Sequence, residues 1–231
     1  MAGEMTTKQY LIKFLDNKEE FFNEITRLNQ EEKERYNLLL DNLILVNNNK
    51  KVKQEVKGKS LEDIVSFLLE KSNVFKVQRN LRTSTNEIDQ IIELNFRGKE
   101  FKEHIDILGD TFLGECKNYN KKIGVTWVGK FYSLLQPTCR LGVIFSFYGL
   151  SGKGWNASSG LVKKLHISKE DFSHRIYIID FNILDFRLVA QGKSFINIIQ
   201  AKISGLRTDT DFLKHISDHP AQQNKSNHES D

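Results

Sequence analysis

Residues 141–149, with the sequence LGVIFSFYG, are the feature that most restricts the fold of this chain. The run is apolar without alternation and carries no charge, which is typical of a strand buried on both faces of a sheet. Such a strand needs helices above and below it, and apolar residues at helical spacing recur in 124–136 and 194–204. The sequence therefore predicts an α/β domain with a sheet between two helical layers.

The spacing of apolar residues also predicts the order of the other elements in this domain. Strands are predicted at 74–81, 87–96, 111–119, 141–149 and 175–181. Helices are predicted from Ser60 onward, where Ser60 and Asp63 resemble a capping box, and at 124–136, 156–168 and 194–204. The order α-β-β-β-α-β-α-β-α indicates one mixed sheet flanked by helices on both faces.

Outside the α/β domain, which we place at 60–207, the chain divides into three segments. Residues 1–46 have one apolar stripe at helical spacing and predict an N-terminal helical arm, which either packs on its own domain or forms a dimer. Residues 47–59, NNNKKVKQEVKGK, contain five lysines and predict a solvated linker. Residues 208–231 end in a polar run and predict a weakly ordered tail.

Cysteine usage and hydropathy exclude several classes of protein. The two cysteines, Cys116 and Cys139, are too few for a disulfide framework and belong to no zinc-binding pattern. The longest uncharged apolar stretch, LGVIFSFYGLSG, has 12 residues and is too short to cross a bilayer. The first residues lack the apolar run of a signal peptide. We therefore expect a cytoplasmic protein without a membrane partner.

The distribution of charge is more informative than the net charge of +4. Residues 116–169 contain nine basic residues and no acidic one, whereas the rest of the chain is acidic on balance. Such a field attracts a polyanion and steers it toward the adjacent part of the molecule. The alternative is an uneven surface whose charge is balanced by helices elsewhere in the fold.

Three charged residues on two predicted strands form the sharpest candidate site. Side chains alternate along a strand, so Glu115 and Lys117 share one face and Cys116 points to the other as a small core residue. The preceding strand supplies Asp89 within an otherwise apolar run. Two carboxylates on neighbouring strands suit Mg²⁺, and an adjacent lysine can orient a water and stabilise charge developing on a phosphate.

The order of these elements resembles the PD-(D/E)XK nuclease superfamily, most closely its Mrr-like restriction-endonuclease branch. The resemblance is carried, over roughly residues 60–185, by LEDIVSFLLEKSNVFKVQRN, TNEIDQII, FLGECKNY, and VTWVGKFYSLL followed by GVIFS. It implies a restriction-endonuclease-like fold and a Mg²⁺-dependent DNA endonuclease. It also implies a role in restriction or defence against foreign DNA.

The resemblance assigns a role to each residue of the candidate site. Asp89 and Glu115 would bind the metal together with the main-chain carbonyl of Cys116, and Lys117 would position or activate the attacking water. Glu62, on the first helix of the domain, matches a position where family members often carry another acidic residue near the metal. The alternative for Glu62 is an exposed glutamate in the first turn, favoured by the helix dipole.

Three features depart from the family pattern. Ile88 replaces the proline before the first aspartate, Glu115 stands where this branch often has glutamine, and the gap between Asp89 and Glu115 is longer than usual. That gap contains a competitor, Asp106, which would share the face of Glu115 if Gly109 and Asp110 formed a two-residue hairpin. We prefer Asp89 because it follows the first helix and strand of the domain.

The expected partner is double-stranded DNA, and a homodimer through the N-terminal arm would allow two sites to cut both strands. The lysines expected to contact DNA are Lys121, Lys122, Lys130, Lys153, Lys163 and Lys164. The alternative function is a non-catalytic nucleic-acid-binding or assembly module that kept the nuclease fold. The complete set of Asp89, Glu115 and Lys117 favours the enzyme, because a binding module needs basic residues but not paired carboxylates.

Overall fold

The computed structural model of the chain describes residues 6–82, 87–152 and 158–216. These ranges contain a five-stranded mixed sheet whose strands lie side by side in sequence order. The strands are β1 (Phe75–Arg82), β2 (Glu87–Leu94), β3 (Thr111–Cys116), β4 (Leu141–Phe145) and β5 (Tyr177–Phe181). Pairing is antiparallel from β1 to β3 and parallel from β3 to β5. The predicted α/β class and mixed sheet are confirmed.

Helices cover both faces of the sheet, as the apolar run at 141–149 requires. The helices of the described ranges are α1 (Thr7–Asp16), α2 (Lys18–Thr26), α3 (Gln30–Asn48), α4 (Gln54–Lys71), α5 (Phe96–Glu100), α6 (Val125–Leu135), α7 (Ser158–Ile167), α8 (Ile183–Ala190) and α9 (Phe195–Thr208). One core layer packs α3, α4, α8 and α9 on the sheet, and the other packs α6 and α7 on the opposite face. Neighbouring residues of one strand divide between the layers, as Phe112 and Leu113 do.

Several parts of the α/β domain differ from the predicted elements. Helix α5 lies between β2 and β3, where no helix was predicted, and β3 ends at Cys116, short of the predicted 119. β4 ends at Phe145 because the chain then turns, with Gly149 at φ +72°, a conformation that glycine adopts without a steric penalty. Helix α8 was not predicted, because it has only eight residues and begins one residue after the end of β5. That residue, Asn182, caps α8 by accepting a hydrogen bond from the backbone N–H of Leu184.

The predicted solvated linker at 47–59 is wrong for most of its length. Helix α3 continues to Asn48 and α4 begins at Gln54, six residues before the predicted capping residue Ser60. The Lys57 side chain is buried, and its ammonium donates a hydrogen bond to Asn120 Oδ1 at 2.7 Å. A lysine-rich composition indicates solvent exposure, but here one lysine has polar partners inside the fold.

The N-terminal arm is helical, and α3 packs on the α/β domain. Tyr36 of α3 is fully buried, and its hydroxyl donates a hydrogen bond to the carbonyl of Phe186 at 2.9 Å. Helix α1 has no buried residue and exposes Tyr10, Leu11 and Leu15. The expected dimer through this arm stays a prediction.

At the other end of the chain, α9 continues to Thr208, and residues 217–231 of the predicted tail lie outside the described ranges. No helix in the described ranges has the length and hydropathy needed to span a bilayer.

Candidate active site

The pairing of β2 with β3 brings the predicted catalytic residues together. Ile91 pairs with Leu113 and Gln90 with Gly114 in an antiparallel register. Continued by one step, this register places Asp89 opposite Glu115 on the face that carries Leu113. The site therefore lies at the start of β2 and the end of β3, beside the first turn of α6.

The three side chains form a compact charged group. The ammonium of Lys117 lies 2.7 Å from Glu115 Oε1 and 3.3 Å from Asp89 Oδ2. The backbone N–H of Cys116 donates a hydrogen bond to Asp89 Oδ2 at 3.3 Å. The Asp89, Glu115 and Lys117 side chains are 29%, 12% and 19% exposed. The group is therefore shielded from bulk water on most sides but still reachable by a ligand.

Burial and charge act in opposite directions on this group. Burial raises the pKa of Glu115, and the nearby Asp89 raises it further, whereas the ammonium of Lys117 lowers it in part. Burial is the largest influence on Lys117 and by itself lowers its pKa. The charges and hydrogen bonds of Glu115 and Asp89 outweigh burial, so the pKa of Lys117 is raised. Two carboxylates share one ammonium, which leaves the group with an excess of negative charge.

Cys116 points away from the charged group, as the strand alternation predicts. Its half-buried side chain packs against the core layer formed by α4, α8 and α9. Burial raises the pKa of the thiol well above its ordinary value, and the charges of Asp89, Glu62 and Glu115 raise it further. The thiol therefore stays protonated at neutral pH, and only the main chain of Cys116 is available as a ligand.

Glu62 is exposed in the third turn of α4, so the alternative of a first-turn glutamate is wrong. Its charge raises the pKa of the Cys116 thiol, so it lies near the side of β3 that carries this thiol, which points away from the charged group. Among the residues that the structure describes, no three His, Cys, Asp or Glu side chains are grouped to hold a metal. The structure therefore does not bring Glu62 into one ligand set with Asp89 and Glu115.

The competitor Asp106 lies away from the site. It precedes β3, and Oδ2 of Asp106 accepts a hydrogen bond from Arg207 of α9 at 2.7 Å. The proposed two-residue hairpin does not form, because Glu93 already pairs with Thr111 and the chain between β2 and β3 contains α5. Of the two candidates, Asp89 is the one placed beside Lys117.

A backbone irregularity lies next to Asp89 in the strand pair. Arg79 pairs with Gln90 and Leu81 with Ile88, and Asn80 between them has φ +53°, in the left-handed region. Asparagine is among the few residues other than glycine that tolerate this conformation, which interrupts the pairing opposite Asp89. Non-glycine residues held in the left-handed region cluster at active sites and ligand-binding sites. This conformation of Asn80 is not predictable from the local sequence pattern.

The donor chemistry of the site fits one divalent cation. Asp89 and Glu115 both direct carboxylate oxygens toward the ammonium of Lys117. The region between the two carboxylates therefore favours a positive charge. Carboxylate, carbonyl and water oxygens are the ligands that Mg²⁺ prefers. Two carboxylates with several waters are a common Mg²⁺ arrangement, so a third acidic side chain is not required.

The predicted nucleic-acid-binding lysines differ in their surroundings. Lys121, Lys122 and Lys130 are exposed, and within the described ranges no carboxylate lies within salt-bridge distance of them. Lys163 forms an ion pair with Asp209. Lys164 is half-buried on α7, and Lys153 lies outside the described residues. Lys130 is linked to the candidate site by Trp127, whose ring also contacts Lys117, and Lys121 and Lys122 lie in the connection between β3 and α6.

Two aromatic residues beside the site are not among the residues predicted from the sequence. Trp127 of α6 has its ring centroid 5.2 Å from Lys117 Nζ and 5.0 Å from Lys130 Nζ. Tyr119 packs against the same indole with 5.9 Å between ring centroids. A signal was available, since Trp127 and Lys130 are three residues apart and therefore neighbours on a helix. Their contact with Lys117 depends on the tertiary fold.

Comparisons of the chain with protein-family models, with curated proteins and with solved structures find no match. The resemblance to PD-(D/E)XK nucleases therefore stays a prediction based on the quoted motifs.

Proposed function

We propose that this protein is a Mg²⁺-dependent DNA endonuclease with a restriction-endonuclease-like fold, acting in the cytoplasm in restriction or defence against foreign DNA. The observation that carries the proposal is the convergence of Asp89, Glu115 and Lys117 at the ends of two paired strands. The biological setting rests on the resemblance alone.

The charge balance of the site supports a binding role over a purely structural one. Removing charged groups from water is costly, and a buried structural ion pair normally balances its charges. Here two carboxylates share one ammonium; burial raises the pKa of Glu115, and the close approach of Asp89 raises it further. A second cation would relieve this repulsion, and Mg²⁺ suits the oxygen ligands present.

When bound, Mg²⁺ would be held by Asp89, Glu115 and the main-chain carbonyl of Cys116, and would lower the pKa of a water and neutralise the scissile phosphate. Lys117 would donate hydrogen bonds from its ammonium to the attacking water or to a phosphate oxygen, because its nitrogen already lies between the two carboxylates. Trp127 contacts Lys117 through its ring and helps to hold the ammonium in place.

The basic surface supports nucleic acid as the substrate. The acid-free stretch begins immediately after Glu115, and its exposed lysines include Lys121 and Lys122, between β3 and α6, and Lys130, which contacts Trp127 beside Lys117. Lysines without carboxylate partners can neutralise backbone phosphates and release their counterions. A phosphodiester held by these lysines would have its phosphate near the carboxylate pair.

The test is cleavage of supercoiled plasmid by the purified protein with Mg²⁺ and with EDTA. Wild type is expected to nick and linearise plasmid only with Mg²⁺, and Lys117→Ala is expected to slow cleavage by about 100- to 1,000-fold. Asp106→Asn is the matched control, because it removes a carboxylate from the same chain region away from the site. DNA binding without Mg²⁺-dependent cutting by wild type would reject the enzyme in favour of the binding module.

A further inference from the structure

The Tyr119–Trp127 aromatic pair lies at the rim of the proposed active site. Tyr119 is two residues beyond Lys117, and Trp127 is in the first turn of α6. The two rings have centroids 5.9 Å apart and planes inclined by 36°. Both side chains are half-buried: they pack against the core layer under α6, yet neither is enclosed by it.

Two lysines contact the indole of this aromatic pair. Lys117, which contacts both site carboxylates, lies 5.2 Å from the Trp127 ring centroid, so the indole directly borders the site. Lys130 lies 5.0 Å from the same centroid, is exposed, and has no carboxylate partner in the part of the chain that the structure describes. Its attraction to the ring is weak enough to be exchanged for a phosphate.

An aromatic surface beside an unpaired lysine is the combination by which proteins bind single-stranded nucleic acid. Bases stack on the rings, while lysines contact the backbone phosphates. A base inside a duplex cannot use such a surface, since both of its faces are covered by its neighbours in the stack. An aromatic pair next to the catalytic lysine therefore selects for a nucleotide that is unpaired.

We propose that Tyr119 and Trp127 form a stacking subsite for an unpaired nucleobase, with Lys130 contacting a phosphate of the same strand. The inference rests on the proposed nuclease function and narrows its substrate class. The cleaved nucleic acid has an unpaired nucleotide next to the scissile phosphate, as at a single-stranded segment or a flap.

The first experiment measures stacking directly. The chain has two tryptophans, so Trp155→Phe leaves Trp127 as the only one. Its fluorescence is followed while a short single-stranded oligonucleotide, or a blunt duplex of the same sequence, is added in EDTA to prevent metal-dependent cleavage. We expect quenching by the single strand and much weaker quenching by the duplex. Equal quenching by both, or none by either, would overturn the subsite.

The second experiment separates stacking from charge. Fluorescence anisotropy in EDTA is expected to show that Trp127→Leu weakens single-strand binding by about 5- to 100-fold. Trp127→Phe should retain most of the affinity because it keeps a ring. Lys130→Ala should lower the slope of log affinity against log salt by about one. Lys99→Ala is the control, because Lys99 is exposed and lies at the opposite end of β2. Circular dichroism establishes that each variant is folded.

The two proposals fail in different ways. Unchanged single-strand affinity in folded Trp127→Leu, with plasmid still cleaved by wild type, would reject the subsite and leave the nuclease. Trp127-dependent single-strand binding without Mg²⁺-dependent cleavage would reject the nuclease, and with it the substrate class proposed here.

Discussion

Lys202 of α9 and Asp185 of α8 form an ion pair in the interior of the protein, with 2.7 Å between Lys202 Nζ and Asp185 Oδ2. Their side chains are only 11% and 1% exposed. Asp185 Oδ2 also accepts a hydrogen bond from the backbone N–H of Asn182 at 2.7 Å, which completes the cap of α8. The pair therefore joins the two helices that follow the last strand.

Removing the lysine of this pair is expected to be strongly destabilising. Lys202→Met leaves the carboxylate of Asp185 buried without a counter-charge, which costs roughly 3–5 kcal/mol of unfolding free energy. Burial raises the pKa of Asp185 in spite of Lys202, so desolvation outweighs the attraction. The neutral double variant Asp185→Asn/Lys202→Met should therefore recover most of the loss in urea unfolding. A double variant as unstable as Lys202→Met would contradict this explanation.

Mg²⁺ is expected to raise the melting temperature of the wild-type protein. A ligand that binds only the folded state at 100 times its Kd adds about 2.7 kcal/mol of stability. Asp89→Asn should lose this stabilisation, since it removes one of two carboxylate ligands, whereas Asp106→Asn should keep it. Differential scanning fluorimetry with Mg²⁺ and with EDTA measures both. If only Asp106→Asn lost the stabilisation by Mg²⁺, the assignment of Asp89 as the metal ligand would be wrong.

Lys57 is expected to stabilise the chain segment that follows β3. Its buried ammonium bonds to Asn120 Oδ1 at 2.7 Å and contacts the carbonyl of Asn47 at 3.5 Å, near the C-terminus of α3. Lys57→Met should cost about 1–3 kcal/mol, the usual effect of losing buried hydrogen bonds. The control is Lys59→Met, whose ammonium bonds to Asp63 at the surface and should matter little. Equal effects in urea unfolding would refute the interior role of Lys57.

The stability of the protein is expected to fall in mild acid because of His166. This histidine is buried, and burial lowers its pKa, with Arg175 and Arg207 adding to the effect. The unfolded chain therefore takes up a proton near the usual pKa of about 6.5, where the folded protein does not. Unfolding free energy should decrease as pH falls below that value.

His166→Gln provides the comparison for this pH dependence, because it keeps a polar side chain but cannot become charged. The unfolding free energies of wild type and variant are measured by chemical unfolding at one pH above 6.5 and at one below it. The difference between the two proteins in the loss of unfolding free energy is the contribution of His166. We expect a smaller loss of stability in the variant. The same loss in both proteins would assign the pH dependence to other groups.

Local sequence pattern predicted the parts of the fold that depend on it. The uninterrupted apolar run identified β4 as a central strand, and all five of its residues are buried. The alternation in GECK placed Glu115 and Lys117 on one face, and the structure joins them through a contact of 2.7 Å. Asp89 was preferred from the order of elements, and the register of β2 and β3 puts it beside Lys117.

Features that depend on distant parts of the chain were not predictable. Lys57 belongs to a lysine-rich segment, and only the approach of Asn120 from 63 residues away provides a partner for its buried ammonium. Trp127 shows helical periodicity like any core residue, and its contact with Lys117 requires α6 to pack beside the end of β3. The same limit applies to Asp106, whose partner Arg207 lies near the other end of the domain.

The connection between β2 and β3 leaves the sheet at the end opposite to the candidate site. Leu94 and Asp110 close the strand pair there through a backbone hydrogen bond of 2.8 Å. The distance between Asp89 and Glu115 is therefore set by the pairing of β2 with β3. Residues added between Leu94 and Asp110 lengthen the sequence gap between the two acidic residues without moving either carboxylate. An unusually long spacing between the two acidic residues is thus compatible with an unaltered site. The exposed positions of this connection, outside its buried residues Phe101, Ile105 and Ile107, are where the chain can gain length without affecting the site.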